Sequence, residues 1–95
     1  MKRTPYSPDQ IAQALQQLPG WQYKDHAIEK SYTFGTFVQA FAFLTQLALV
    51  SEKMDHHAEI YNVYNQVRIR LNTHDAKGIT DFDVALARKL EEFAR

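Results

Sequence analysis

From Glu59 to Thr73 the hydrophobic period is two. Ile60, Asn62 and Tyr64 alternate with Tyr61, Val63 and Asn65; Val67, Ile69 and Leu71 then alternate with Arg68, Arg70 and Asn72. Successive side chains of a strand point to opposite faces, so this run reads as strands with one face buried and one in water. A tight turn near Asn65-Gln66 makes it a hairpin. A hairpin alone is marginal in water, so the remaining chain must cover its apolar face. Arg68 and Arg70 read as exposed strand charges that discourage edge pairing.

The cover comes from helical patterns. Ser7-Pro8-Asp9-Gln10 is a capping box with proline at the first helical position, and Ile11, Ala14, Leu15 and Leu18 follow on one face. Pro19-Gly20 ends that helix. Trp21 to Phe34 predicts a first hairpin around Lys24-Asp25-His26, with Ile28, Lys30, Tyr32 and Phe34 on one face; His26 is then a solvated turn residue. Thr36-Phe37-Val38-Gln39 is a second capping box and opens the most apolar element, which runs to about Met54. Its stripe of Phe37, Phe41, Leu44 and Ala48, flanked by Val38 and Leu47, is expected to lie on the sheet as core. Thr80-Asp81-Phe82-Asp83 is a third box, and Val84, Leu86, Ala87, Leu90 and Phe93 follow. The order α-β-β-α-β-β-α predicts an α+β fold: one four-stranded antiparallel sheet with helices packed on one face. Residues 1–95 form a single domain.

Eleven basic and eleven acidic residues cancel, which argues against nucleic acid or an anionic membrane as partner. Phe37 to Val50 is interrupted by polar residues and too short to span a bilayer. The chain contains no cysteine, so disulfide and thiolate chemistry are excluded and a reducing compartment fits. The N-terminus lacks the apolar core of a signal peptide. A cytoplasmic protein is expected. Hydrophobic residues at 45% on so small a body make a homo-oligomer interface plausible.

Three of the four histidines fall in two short pieces, Glu52-Lys53-Met54-Asp55-His56-His57-Ala58-Glu59 and Asn72-Thr73-His74-Asp75. Both pieces lie where a regular element ends and functional groups become available. Histidine is the side chain whose unperturbed titration lies between pH 5 and 8. Three readings are open. His56, His57 and His74 could perform acid–base catalysis on a bound heterocycle or carbonyl, with Glu52, Asp55, Glu59 or Asp75 orienting a ring. Three histidines and a carboxylate could hold zinc, although adjacent histidines seldom chelate one ion. Each could instead cap a helix or fill polar surface. His56 and His74 are expected outside the core, so their removal should lower turnover markedly with less effect on folding. Asp83 has an evident role in its capping box. Tyr64 and Trp21 read first as core or half-buried strand residues, although Trp21 offers a flat surface for stacking.

Glu52, His56-His57, Tyr64, His74 and Asp83, with Asn62-Val63-Tyr64-Asn65 and Gly20-Trp21, resemble the signature of the pterin-4a-carbinolamine dehydratases. The similarity runs from about Leu18 to Leu90. It implies dehydration of 4a-hydroxytetrahydropterin to quinonoid dihydropterin in tetrahydrobiopterin recycling, a hydro-lyase reaction without metal or other cofactor. By that resemblance His56 and His74 are the acid–base pair and His57 holds the pterin. Ala58, Thr73, Asp75 and Ala76 complete the pocket, Trp21 lines its edge, and Glu52 and Asp83 support the histidines. A homodimer or homotetramer is implied. The resemblance leaves open a non-catalytic dimerisation or transcriptional-cofactor module, and a dehydratase of another pterin-like carbinolamine such as one in molybdopterin metabolism. Ala58 stands where the family usually has proline, Asp75 where glutamate is common, and Asn72 where serine is common.

Overall fold

The computed structural model describes residues 1–95. Helix α1 (Pro8–Gln16) leads into strands β1 (Gln22–Lys24) and β2 (Ala27–Thr33). Helix α2 (Phe37–Met54) follows, then β3 (Glu59–Val63) and β4 (Gln66–Leu71). A 3-10 turn (His74–Ala76) precedes helix α3 (Asp81–Phe93). The four strands form one sheet in the order β1-β2-β4-β3, every pair antiparallel. This is the α+β architecture that the alternation of periods implies.

One face of the sheet carries the core. Ile28, Tyr32, Val67, Ile69 and Leu71 pack with Ala40, Phe43 and Leu47 of α2 and Val84, Leu86, Ala87 and Leu90 of α3. Full burial of each large aliphatic side chain contributes about 1.5–3 kcal/mol, so the alternating half of β4 alone is a large share of the folding energy. Leu18, Trp21 and Ile79 close the ends of this core.

The opposite face is charged and ordered. Arg70 donates to Glu29 Oε2 at 2.6 Å and to Glu59 Oε2 at 3.3 Å, and these three residues sit in register across β2, β4 and β3. The Arg68 guanidinium lies 5.0 Å from the Tyr61 ring centroid. The expectation that Arg68 and Arg70 guard an edge is corrected by this topology. Strand β4 is central, and the two arginines bind it to its neighbours. Long-range β2–β4 pairing leaves no trace in local periodicity.

Helix α2 presents a different face from the one expected. Its buried positions are Ala40, Phe43, Leu47 and Ser51, while Phe41 is 55% exposed, Leu49 69% and Val38 75%. Phe37 is also exposed and stacks obliquely on Phe41. The helix is apolar on nearly every side, so spacing alone could not select its core face. Thr36 caps it by accepting from Gln39 N–H at 3.1 Å. The expected reciprocal bond is absent, because Gln39 Oε1 accepts from Gly35 N–H instead. The boxes at Ser7 and Thr80 are complete.

Both hairpin turns have two residues. Asp25 and His26 take φ of 51° and 65°, the left-handed pair that matches strand twist. The second turn is Tyr64-Asn65, one residue earlier than expected, with Tyr64 at φ 52°. Tyr64 is therefore an exposed turn residue and not part of a strand face. Gly20, at φ +85°, leaves room for the Lys30 stem, which a Cβ would meet at 2.9 Å. Lys30 Nζ reaches the Pro19 carbonyl and both Glu91 oxygens, each at 2.8 Å, tying the end of α1 to α3.

Candidate active site

Helix α2 ends by a left-handed turn. Asp55 takes φ 52° and His56 N–H reaches back to the Ser51 carbonyl at 3.1 Å, closing the helix as a left-handed cap does. Aspartate tolerates this conformation better than most residues. The turn directs His56 away from the helix axis and toward the start of α3.

There His56 meets Asp83. The separation between Nε2 and Oδ1 is 2.6 Å, and His56 is only 5% exposed. This overturns the expectation that His56 lies outside the core. Asp83 is fully buried. Its other oxygen, Oδ2, accepts from the Thr80 backbone N–H and from the Thr73 hydroxyl, both at 2.9 Å. Thr73 Oγ1 also lies 2.6 Å from Thr80 Oγ1. Since the Thr73 hydrogen is committed to Asp83, the Thr80 hydroxyl donates to Thr73. Both groups that meet Oδ2 are donors, so the carboxylate is read from its partners. Asp83 is then an acceptor throughout, and we assign the hydrogen of His56 to Nε2. The other ring nitrogen, Nδ1, has no protein partner and is not sealed from solvent. It is the atom through which His56 can act.

His57 turns outward, as expected for adjacent residues. Its Nε2 lies 2.7 Å from Glu52 Oε1, with both side chains largely solvated. His74 opens the 3-10 turn and is exposed, with Asp75 beside it. The loop is closed by Thr73 N–H to the Gly78 carbonyl at 2.9 Å. His74 is thus one residue from Thr73 and the Asp83 network. Ala76 and Ala58 are half-buried.

The structure therefore joins His56, Asp83 and Thr73 directly and pairs His57 with Glu52. Trp21 is not part of this group. It is 4% exposed and packs edge-on against Tyr32, 6.5 Å between centroids, so the core takes the ring surface expected to stack a heterocycle. Its indole N–H is sealed from solvent without a well-formed bond. No three histidine or acidic side chains converge as a metal ion requires.

A groove of about 690 Å³ lies elsewhere, with Lys30, Tyr32, Arg88, Glu91 and Arg95 in its wall. Lys30 and Glu91 are paired with each other there, and Arg88 and Arg95 have no carboxylate within ion-pair distance. Burial pushes the Tyr32 hydroxyl well up, and its bond to Glu91 adds to that. Burial also pushes the Glu91 carboxyl up, yet bonds from Lys30 and Tyr32 outweigh it and hold the group below its ordinary range.

Three site residues escaped the sequence reading. Thr80 was read only as a helix cap. Phe82 packs its ring 5.6 Å from that of His56. Arg3 lies with its guanidinium carbon 4.1 Å from the Phe82 centroid. The first had a signal in its capping box; Arg3, 79 residues before Phe82, had none.

Comparison with known proteins identifies the family. A family model described as Pterin 4 alpha carbinolamine dehydratase matches residues 4–93. A protein of Rhizorhabdus wittichii assigned as a pterin-4-alpha-carbinolamine dehydratase is 48% identical, covering 99% of both chains. One of Mesorhizobium japonicum with the same assignment is 45% identical, covering 98% of this chain and 97% of its own. A crystal structure titled transcriptional coactivator/pterin dehydratase, from Brucella melitensis, superposes with a TM-score of 0.95 at 40% identity, over 97% of this chain and all of the other. A pterin dehydratase-like protein described as a RuBisCO assembly factor in the alpha-carboxysome gives 0.65 at 28% identity, over 78% of this chain and 86% of its own. The chain belongs to the pterin-4a-carbinolamine dehydratase family of hydro-lyases.

Proposed function

We propose that the chain dehydrates 4a-hydroxytetrahydropterin to quinonoid dihydropterin and water by histidine acid–base catalysis, in the recycling of tetrahydrobiopterin. The observation that carries the mechanism is the buried His56–Asp83 contact at 2.6 Å, with Thr73 and Thr80 completing the carboxylate's partners. The reaction gives one proton to the departing 4a-hydroxyl and removes one from a pterin ring nitrogen, so atoms and charge balance without a redox partner. His56, hydrogen-bonded through Nε2, presents Nδ1 to one of these transfers. His74 serves the other, and His57, braced by Glu52, holds and polarises the pterin. Ala58, Thr73, Asp75 and Ala76 form the remaining wall. General acid and general base steps of this kind each contribute about 10²–10⁴-fold.

We further propose a homodimer or homotetramer in the cytoplasm. The uncovered face of α2 (Val38, Phe41, Leu49) and the unpaired edge β3, where Ile60, Tyr61 and Val63 are all exposed, support self-association; such surfaces are seldom left open on a monomer. No helix is long and apolar enough to cross a membrane. Light scattering of Phe41→Glu against the parent tests this, and an unchanged mass would refute a contact through α2.

Rapid-mixing absorbance of 4a-hydroxytetrahydropterin generated in situ tests the activity. The substrate dehydrates unaided, so the rate above background is decisive. An acceleration proportional to protein concentration is expected; none, from folded protein, would refute the proposal.

A further inference from the structure

The first residues of the chain cross the site. Lys2 donates its backbone N–H to Asp81 Oδ2 at 3.0 Å, and the Tyr6 hydroxyl donates to Asp81 Oδ1 at 2.7 Å. Tyr6 N–H also reaches the Ile79 carbonyl at 2.7 Å. One carboxylate at the start of α3 thus grips the arm on both sides of Arg3. Burial and then the Asp81 contact push the Tyr6 hydroxyl up to about 12. The Tyr6 hydroxyl and the Lys2 amide hold Asp81 below its ordinary range.

Held in this way, Arg3 reaches the end of α2. Its guanidinium covers Phe82 at 4.1 Å, and Nη2 donates to the Asp55 carbonyl at 3.3 Å. Phe82 packs against His56, and Asp55 immediately precedes it. Arg3 therefore stands on the rim formed by the two segments that hold His56. A guanidinium carries five N–H donors in a planar fork, and here one has a protein acceptor. No carboxylate lies within ion-pair distance of it. Contact with Phe82 holds the group without consuming donors, so the rest of the fork is free to bind a ligand beside His56.

We propose that Arg3 is a substrate-binding residue, delivered by the N-terminal arm, whose free N–H groups bind an oxygen acceptor of the pterin, either the ring carbonyl or a side-chain hydroxyl. The assignment rests on the dehydratase reading for its substrate class.

The test compares the parent with Arg3→Ala and Arg3→Lys, after thermal unfolding shows all three folded. Dehydration is measured with 6-methyl and 6-(dihydroxypropyl) substrates, and equilibrium binding with the stable 7,8-dihydropterins bearing the same side chains. Arg3→Ala should raise KM and the dihydropterin Kd about tenfold, equivalent to about 1.4 kcal/mol, with kcat nearly unchanged. Arg3→Lys should restore part of the loss. An effect with both side chains assigns the ring carbonyl; an effect only with dihydroxypropyl assigns a hydroxyl. Unchanged KM and Kd overturn the proposal, as does a fall in kcat alone. A parent that accelerates dehydration while Arg3→Ala behaves identically loses this proposal but keeps the dehydratase reading. A parent that binds dihydropterin through Arg3 without acceleration does the reverse, and one that does neither overturns both.

Discussion

Asp83→Asn changes one atom and should reverse the chemistry of His56. The two oxygens of Asp83 face different donors. Oδ2 faces the Thr80 backbone N–H, which can only donate, and the Thr73 hydroxyl. The asparagine carbonyl must take this side, because an amide NH2 there would oppose a fixed donor. The NH2 then faces His56 Nε2 across the present 2.6 Å contact. To accept that hydrogen, Nε2 must be bare, and the single hydrogen of the neutral ring moves to Nδ1. Nδ1 changes from acceptor to donor. A charge-assisted hydrogen bond becomes a neutral one, a stability loss of about 1–2 kcal/mol. That is tolerable for a domain whose total stability is about 5–15 kcal/mol. Activity should fall much further, about 10²–10⁴-fold, as expected when a catalytic imidazole is held in the wrong tautomer. Long-range ¹⁵N–¹H correlation of the His56 ring reads the tautomer, urea unfolding reads the stability, and rapid-mixing absorbance reads the rate. A variant that keeps the Nε2–H tautomer, or that changes tautomer and keeps full activity, would refute the reasoning.

Other outcomes follow from the same geometry. His57→Ala and His74→Ala should lower kcat with unchanged urea midpoints because both side chains are solvated, whereas His56→Ala should also lower the midpoint by leaving Asp83 short of a donor; equal midpoints for all three would contradict the buried placement. Glu91 has its carboxyl held below the ordinary range, so its contribution to stability is present above the unfolded-state value and is lost as pH falls through the lowered folded value. Glu91→Gln should therefore remove part of the acid-induced loss of stability, and unfolding curves of parent and variant that stay parallel as the solution is acidified would refute this. His26→Gly relieves a left-handed turn position at φ 65° and should raise the unfolding free energy by up to about 1 kcal/mol, read as a higher urea midpoint at unchanged m; a lowered midpoint would show that the turn is unstrained. Because no three ligating side chains converge, chelators should leave the dehydration rate unchanged, and a loss restored by zinc would overturn the acid–base reading.

The fold was legible wherever one rule acted alone. The alternation of Val67, Ile69 and Leu71 with Arg68 and Arg70 identified β4 and its buried face, and the boxes at Ser7 and Thr80 marked helix starts accurately. Legibility failed where two rules agreed on too much. Helix α2 is apolar almost all round, so the expected stripe ran through Phe41, whereas Phe43 faces the core, and only the sheet beneath distinguishes them. The edge role given to Arg70 failed because strand order is set by pairing between distant segments. At the site, the cluster of histidines at element ends drew attention to His56, His57 and His74. The burial of His56 could not be read, since it depends on the Asp55 turn meeting α3. Asp83 was correctly read as a cap, and its second oxygen gives it the further contact to His56. Trp21 was read first as a core or half-buried residue, and its burial agrees; the stacking surface also considered for it could not be ruled on from sequence, because a flat aromatic after Pro-Gly looks the same whether its ring faces solvent or Tyr32.

The central claim is that imidazoles move the protons of dehydration. Its most direct test is the single-turnover rate of 4a-hydroxytetrahydropterin dehydration with the parent and with His56→Gln/His57→Gln/His74→Gln, both shown to be folded. The account predicts acceleration in proportion to parent concentration and a variant rate at the spontaneous background. A folded triple variant that accelerates the reaction as the parent does would contradict it.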